Sequence, residues 1–163
     1  MKYKVLVTGG AGYIGSVLAR ILLTNGYQVR IMDNLRFGRE TIVELLNNDD
    51  FEFYKGDVRS EEDLKQAVKG IQYIVHLAAI VGDPACRNEP ELARETNLES
   101  TKNLYHLANQ AGAEKFVYAS TCSNYGKMED PEGYVNEDSK LAPVSLYAET
   151  KVESENYLLG QKR

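Results

Sequence analysis

The sequence predicts an α/β fold, a doubly wound parallel sheet with helices on both faces and strand order 3-2-1-4-5. Three observations carry this. Short apolar runs alternate with helical patterns along the whole chain, as strands joined by crossover helices do. A glycine-rich turn, Gly9-Gly10-Ala11-Gly12-Tyr13-Ile14-Gly15, separates the first strand from the first helix. An acid, Asp33, ends the second strand about 20 residues beyond that turn. Right-handed crossovers then set the strand order.

Lys4–Thr8 reads as the first strand and Gly12–Asn25 as its helix, stopped by Gly26. Gln28–Asp33 is the second strand, Arg39–Asn47 a short helix and Phe51–Lys55 the third strand. Ser60 caps the next helix, with Glu61, Glu62 and Asp63 in its first turn, where the helix dipole favours acids. Gln72–Ala78 is the fourth strand. A long helix from about Glu89 to Ala111 follows and ends at Gly112; Lys115–Ser120 is the fifth strand. The stretch from Thr121 to Pro143 is irregular, with Gly126, Pro131 and Gly133 before Pro143, and a loop of that length in a compact domain is usually functional or mobile. The last helix runs from about Ser145 to Leu159.

The 163 residues suit one domain with a real core, and 43% hydrophobic with 26% charged residues marks a folded chain. A net charge of −5 argues against a nucleic-acid surface. No run approaches a membrane span, and the N-terminus enters a strand directly, so neither a membrane partner nor a signal peptide is expected. Cys86 and Cys122 lack zinc or CxxC spacing, which points to no metal and to reduced thiols in the cytoplasm.

Two constellations carry chemistry. In the glycine turn, backbone N–H groups can approach a diphosphate at the positive end of a helix, and Asp33 can accept hydrogen bonds from an adenosine ribose. A carboxylate there repels a 2′-phosphate, favouring NAD over NADP; Arg36 and Arg39 just beyond would partly offset this. The second constellation is Tyr147-Ala148-Glu149-Thr150-Lys151, which puts a phenol and an ammonium four residues apart on one helix face. A nearby ammonium lowers a tyrosine pKa, so Tyr147 is a candidate base. Ser120-Thr121-Cys122-Ser123 lies at the C-terminal end of the fifth strand, the edge at which open parallel sheets bind ligands. His76 reads as a packed strand residue, His106 as a surface residue, and Cys122 as a small neighbour of the site.

With these residues the chain resembles the extended short-chain dehydrogenase/reductases, the NAD-dependent sugar-nucleotide epimerases and dehydratases with a Rossmann-type fold. The matching residues are Thr8 to Gly15, Asp33-Asn34, Gly56-Asp57-Val58, His76-Leu77-Ala78-Ala79, Asn97, Ser120 to Gly126 and Tyr147-x-x-x-Lys151. The resemblance implies that Gly9, Gly12 and Gly15 approach the pyrophosphate with Tyr13 and Ile14 beside it, that Asp33 and Asn34 hold the adenosine ribose, and that Asp57 and Val58 meet the adenine. It implies further that Leu77, Ala78 and Ala79 line the nicotinamide side, that Asn97 stabilises the long helix or the water network of the site, that Thr121 polarises a substrate hydroxyl, that Tyr147 takes its proton, and that Lys151 grips the nicotinamide ribose.

The resemblance also discriminates among activities. Sugar 4,6-dehydratases carry Asp and Glu after the catalytic threonine, whereas Cys122 and Ser123 stand here, so dehydration is disfavoured. The expected activity is that of an NAD-dependent nucleotide-sugar epimerase, in which a sugar hydroxyl is transiently oxidised and the ketone reduced from its other face. The alternatives are a dehydrogenase or reductase of the same family with net cofactor turnover, and a non-catalytic dinucleotide-binding module. Family members continue with further strands and a substrate domain, so residues 1–163 are expected to be the cofactor half of a longer enzyme, inactive alone. The fifth strand is then expected at a sheet edge, with apolar residues exposed on the side of the first helix. The family's dimer interface uses the Asn97 and Tyr147 helices, which implies a homodimer.

Overall fold

The computed structural model describes residues 2–126 and 133–161, arranged in two compact units. One unit takes Met1–Ala78 and Asn103–Ala119; the other takes Ala79–Lys102 and Ser120–Arg163.

The first unit holds the sheet. Five parallel strands, β1 (Lys4–Thr8), β2 (Gln28–Asp33), β3 (Phe51–Lys55), β4 (Tyr73–His76) and β5 (Lys115–Tyr118), stand in the order β3-β2-β1-β4-β5, as the sequence predicts. Alternate side chains feed two cores. Leu6, Met32 and Ile74 face one side, packed with Leu64 and Ala67 of α2 (Glu61–Ala67) and with Leu104, Leu107 and Ala108 of α5 (Ser100–Gln110). Val5, Val7, Val29 and Ile31 face the other, with Ala19 of α1 (Tyr13–Thr24) and with Ile42 and Leu45. Helices therefore cover both faces of a Rossmann-type sheet.

Strands β4 and β5 end sooner than their apolar runs. His76 is the last β4 residue paired with β1, because β1 leaves the sheet at Gly9 and removes the partner. Residues 40–47 wind as a 3₁₀ helix, Glu40–Asn47, whose three-residue turn keeps Ile42 and Leu45 on one buried face. The Ser60 cap forms as expected, its hydroxyl accepting the Asp63 N–H at 3.2 Å. The expected apolar exposure on the α1 side of β5 is also present. Val117, in register with Val75, is 55% exposed, and Val17 and Ile21 of α1 are exposed as well.

The second unit is helical. The stretch 82–88, between the fourth strand and the helix expected from Glu89, contains α3 (Asp83–Asn88), entered through Gly82 at φ 89°. The expected helix from Glu89 starts as α4 (Pro90–Arg94), widens into a π turn over Glu95–Glu99 and continues as α5. A short 3₁₀ turn, Cys122–Tyr125, interrupts the expected irregular stretch; Pro131 lies outside the described residues. Helix α6 (Leu146–Leu159) closes the unit, capped by Ser145, whose hydroxyl accepts the Ala148 N–H at 3.3 Å.

Candidate active site

The first unit presents the glycine turn. Gly9 adopts φ +68°, and a Cβ there would lie 2.7 Å from the Ala78 backbone nitrogen, so the turn closes on the end of β4 only with glycine. A Cβ on Gly15 would lie 2.5 Å from the Gly10 Cα, so Gly15 seats α1 against the turn. Gly12 differs: a Cβ there meets only the Gly9 carbonyl, at 3.2 Å, and its remaining surroundings are open. Gly12 is also the N-cap of α1, provides no side-chain hydrogen bond, and is followed by no acid in the first turn. The N–H groups and the dipole of a 12-residue helix thus face outward without an acidic side chain of the helix to meet them. Tyr13 (85% exposed) and Ile14 (65%) flank this end.

Asp33 does more than end β2. One carboxylate oxygen accepts the Ala11 N–H at 3.1 Å and the other accepts the Leu35 N–H at 2.8 Å, holding Leu35 at φ 63°. Two oxygens offer about four acceptor sites, so capacity remains for ribose hydroxyls. Asn34 turns its Oδ1 to the Arg36 N–H at 3.0 Å, and its side chain also hydrogen-bonds Asp57. Asp57 is gripped by Arg59, which holds its carboxyl below the usual range. The Val58 side chain is buried in the core with Leu64 and Leu104, so only its backbone is left for an adenine. Leu77 and Ala78 are half-buried beyond β4. His76 is packed as expected, its Nδ1 2.6 Å from the Thr8 hydroxyl, and His106 is exposed beside Gln110.

The second unit gathers the hydroxyls, the phenol and the ammonium. Lys151 Nζ lies 5.9 Å from the centroid of the Tyr147 ring, one turn along α6, and the Thr121 side chain hydrogen-bonds the Tyr147 phenol. The Thr121 hydroxyl also accepts the Ser123 N–H at 3.2 Å, which fixes the turn after β5. Lys151 is only 4% exposed, and burial pulls its pKa down to about 8, against the upward pull of Cys86 and Glu155. Tyr147 departs from expectation. Burial raises its pKa, and the Thr121 hydrogen bond opposes that only in part. Cys86 and Cys122 push the phenol in the same direction as burial, so the expected lowering is not seen.

Asn97 sits in the π turn, a place where helices commonly carry functional side chains. Its Oδ1 accepts the Ile80 N–H at 2.8 Å while its Nδ2 donates to the Ile80 carbonyl at 3.0 Å and to Thr150 Oγ1 at 3.4 Å. Ser154 donates to the Asn97 carbonyl at 3.0 Å. Asn97 therefore locks the segment just after Ala79 and the face of α6 that includes Thr150 and Ser154. The buried thiol of Cys86 donates to the Ile80 carbonyl at 3.3 Å, and burial pushes its pKa up; Cys122 is exposed. In the sequence, Asn124 and Thr150 lie in the quoted motifs but are assigned no role there, and Ser154 and Glu155 are not singled out. The repeat Tyr147, Lys151, Glu155 at four-residue spacing signals Glu155.

Comparison with known proteins places this geometry. A profile of the NAD dependent epimerase/dehydratase family matches residues 5–163. The chain is 37% identical to a 3-beta-hydroxysteroid dehydrogenase of Mycolicibacterium neoaurum, over 97% of this chain and 43% of that one. It is 32% identical to UDP-glucose 4-epimerase 3 of Oryza sativa subsp. japonica, over 94% of this chain and 43% of that one. Among solved structures, the UDP-Glc/GlcNAc 4-epimerase of Campylobacter jejuni superposes with a TM-score of 0.89 at 32% identity, covering 96% of this chain and 48% of that one. The UDP-glucose 4-epimerase of Thermus thermophilus, solved with NAD, superposes with a TM-score of 0.86 at 34% identity, covering 96% of this chain and 50% of that one. The chain thus spans about half the length of the relatives it matches. It belongs to the NAD dependent epimerase/dehydratase family.

Proposed function

We propose that the chain is the cofactor-binding and catalytic half of an NAD-dependent nucleotide-sugar epimerase, organised as a single cofactor domain over residues 1–163. The observation that carries this reading is the Thr121–Tyr147–Lys151 grouping, with the hydroxyl hydrogen-bonded to the phenol and the ammonium beside its ring. Gly9, Gly12 and Gly15, with Tyr13 and Ile14, would hold the diphosphate. Asp33 and Asn34 would take the ribose, Asp57 with the Val58 backbone the adenine, and Leu77, Ala78 and Ala79 the nicotinamide side. When bound, NAD supplies the hydride acceptor and donor.

The chain's residues handle the proton. Thr121 orients a sugar hydroxyl toward the Tyr147 oxygen, and Tyr147 removes the proton. Lys151, with a pKa of about 8, remains mostly charged at pH 7 and stabilises the phenolate that this requires. Because burial holds the phenol up, ionisation of Tyr147 is tied to occupation of the site. Asn97 would steady the helix and the segment after β4. In the second unit the π turn and α6 pack side by side through Asn97, Thr150 and Ser154; a homodimer built on the Asn97 and Tyr147 helices is part of the same reading.

One observation favours a second reading. The 37% identity to a 3-beta-hydroxysteroid dehydrogenase supports a dehydrogenase with net NAD(H) turnover. The test is turnover by the longest natural chain with UDP-sugars and with hydroxysteroids, followed both by product and by NADH absorbance. Epimeric sugar without NADH accumulation supports the first reading, and stoichiometric NADH supports the second. Tyr147→Phe is expected to abolish either activity while NAD⁺ still raises the melting temperature; undiminished turnover in that variant would sink both.

A further inference from the structure

Asn124 joins three segments of the second unit. Its Nδ2 donates to the Ser120 hydroxyl at 2.9 Å and to the Glu155 carboxylate at 2.9 Å. Its backbone carbonyl accepts the Ala142 N–H at 2.9 Å. The side chain is 2% exposed, yet its Oδ1 has no hydrogen-bond partner among the described residues. A leucine would fill that volume without leaving a buried acceptor unmet. What the amide contributes is therefore its pair of Nδ2 bonds. Ser120 and Asn124 bracket Thr121, and Glu155 lies one turn beyond Lys151 and two beyond Tyr147 on α6.

We propose that Asn124 and Glu155 form a positioning clamp: the amide holds the carboxylate beside Lys151 and, by the same hold, ties the Thr121 turn to the helix that carries Tyr147. Neither residue touches the reacting atoms. The clamp sets the distance between Thr121 and Tyr147 and keeps a counter-charge near a buried ammonium. The ionisable groups that face Lys151 include Tyr147 and Glu155 from its own helix and Cys86 from α3. The attraction of Cys86 and of Glu155 opposes the desolvation of Lys151, and of these two Glu155 is the one that Asn124 holds. The kinetic meaning of the clamp rests on the proposed function, but its effect on Lys151 does not.

The test reads Lys151 directly. The chain is labelled with 13Cε-lysine, the Lys151 signal is assigned by its loss in Lys151→Arg, and its pH titration is followed without substrate. The wild-type midpoint is expected near 8. Glu155→Gln, which keeps an acceptor for Asn124 but loses the charge, is expected to lower the midpoint by about half a unit or more. Asn124→Leu is expected to lower it in the same direction, because the freed carboxylate turns to water. The double variant is expected to shift no further than Glu155→Gln alone, since the two act through one contact. Should Asn124→Leu fail to fold, Asn124→Ser serves in its place. An unchanged midpoint in a folded Asn124 variant, or shifts that add, would overturn the clamp. A chain that shows the shifts but, at full length, turns over neither class of substrate overturns the proposed function and supports the clamp; unshifted lysine with intact turnover does the reverse.

Discussion

The carboxylate of Asp33 accepts the Ala11 N–H at 3.1 Å, so the acid that ends β2 also holds the glycine turn that follows β1. One side chain thus serves architecture and, in the proposed function, recognition of the ribose. Asp33→Ala leaves the Ala11 and Leu35 N–H groups without this acceptor and is expected to cost about 1–3 kcal/mol. Asp33→Asn keeps one acceptor and is expected to cost less, while both variants lose the charge that repels a 2′-phosphate. Thermal unfolding with NAD⁺ and with NADP⁺ checks this: selectivity for NAD⁺ falls in both variants, and stability falls further in Asp33→Ala.

The glycines separate by role. Gly15→Ala is expected to destabilise the chain severely, because the new methyl meets Gly10 and Gly9 backbone atoms at 2.5–2.9 Å. Gly12→Ala meets a single carbonyl at 3.2 Å and is expected to fold, yet its methyl fills the space a diphosphate would use. At about 100 times the dissociation constant, NAD⁺ stabilises by roughly 2.7 kcal/mol, and Gly12→Ala is expected to lose most of that gain. A full NAD⁺ shift in Gly12→Ala would remove the diphosphate from this turn.

Lys151 predicts a pH dependence. Its folded pKa, about 8, lies below its ordinary value of 10.5, so the unfolded chain binds that proton more tightly. The stability cost is therefore fully present below about pH 8 and is relieved as pH rises from 8 toward 10.5. Lys151→Met is expected to be more stable than wild type at pH 7 by about 1–3 kcal/mol. The gap closes as pH rises through that window, as denaturant unfolding at several pH values would show. A constant gap would mean that lost packing, not charge burial, separates the two.

Asn97 makes the opposite case. Its amide serves the Ile80 N–H and carbonyl simultaneously, and it is almost wholly buried. Asn97→Leu strands both groups and is expected to cost about 2–4 kcal/mol, with faster amide exchange centred on Ile80. Asn97→Asp keeps only the acceptor and is expected to fall between the two.

The strand order, the helices on both faces, the glycine turn with its acid and the Tyr147–Lys151 spacing were legible in the sequence. Each is written in local periodicity or in a short fixed spacing, and parallel strands with right-handed crossovers leave few topologies. The π turn at Asn97 was not legible, because an inserted residue in a helix leaves the apolar pattern nearly intact. Nor was the direction of the Tyr147 pKa: spacing places an ammonium near a phenol, but burial, which opposes ionisation, is decided by everything packed around both. The grip of Asn124 on Glu155 joins residues 31 positions apart, and nothing local marks either partner for the other. Local patterns in the chain set the sheet, its order and the chemical groups available; packing in three dimensions settles which of those groups are desolvated, which are held by backbone, and hence what each can do.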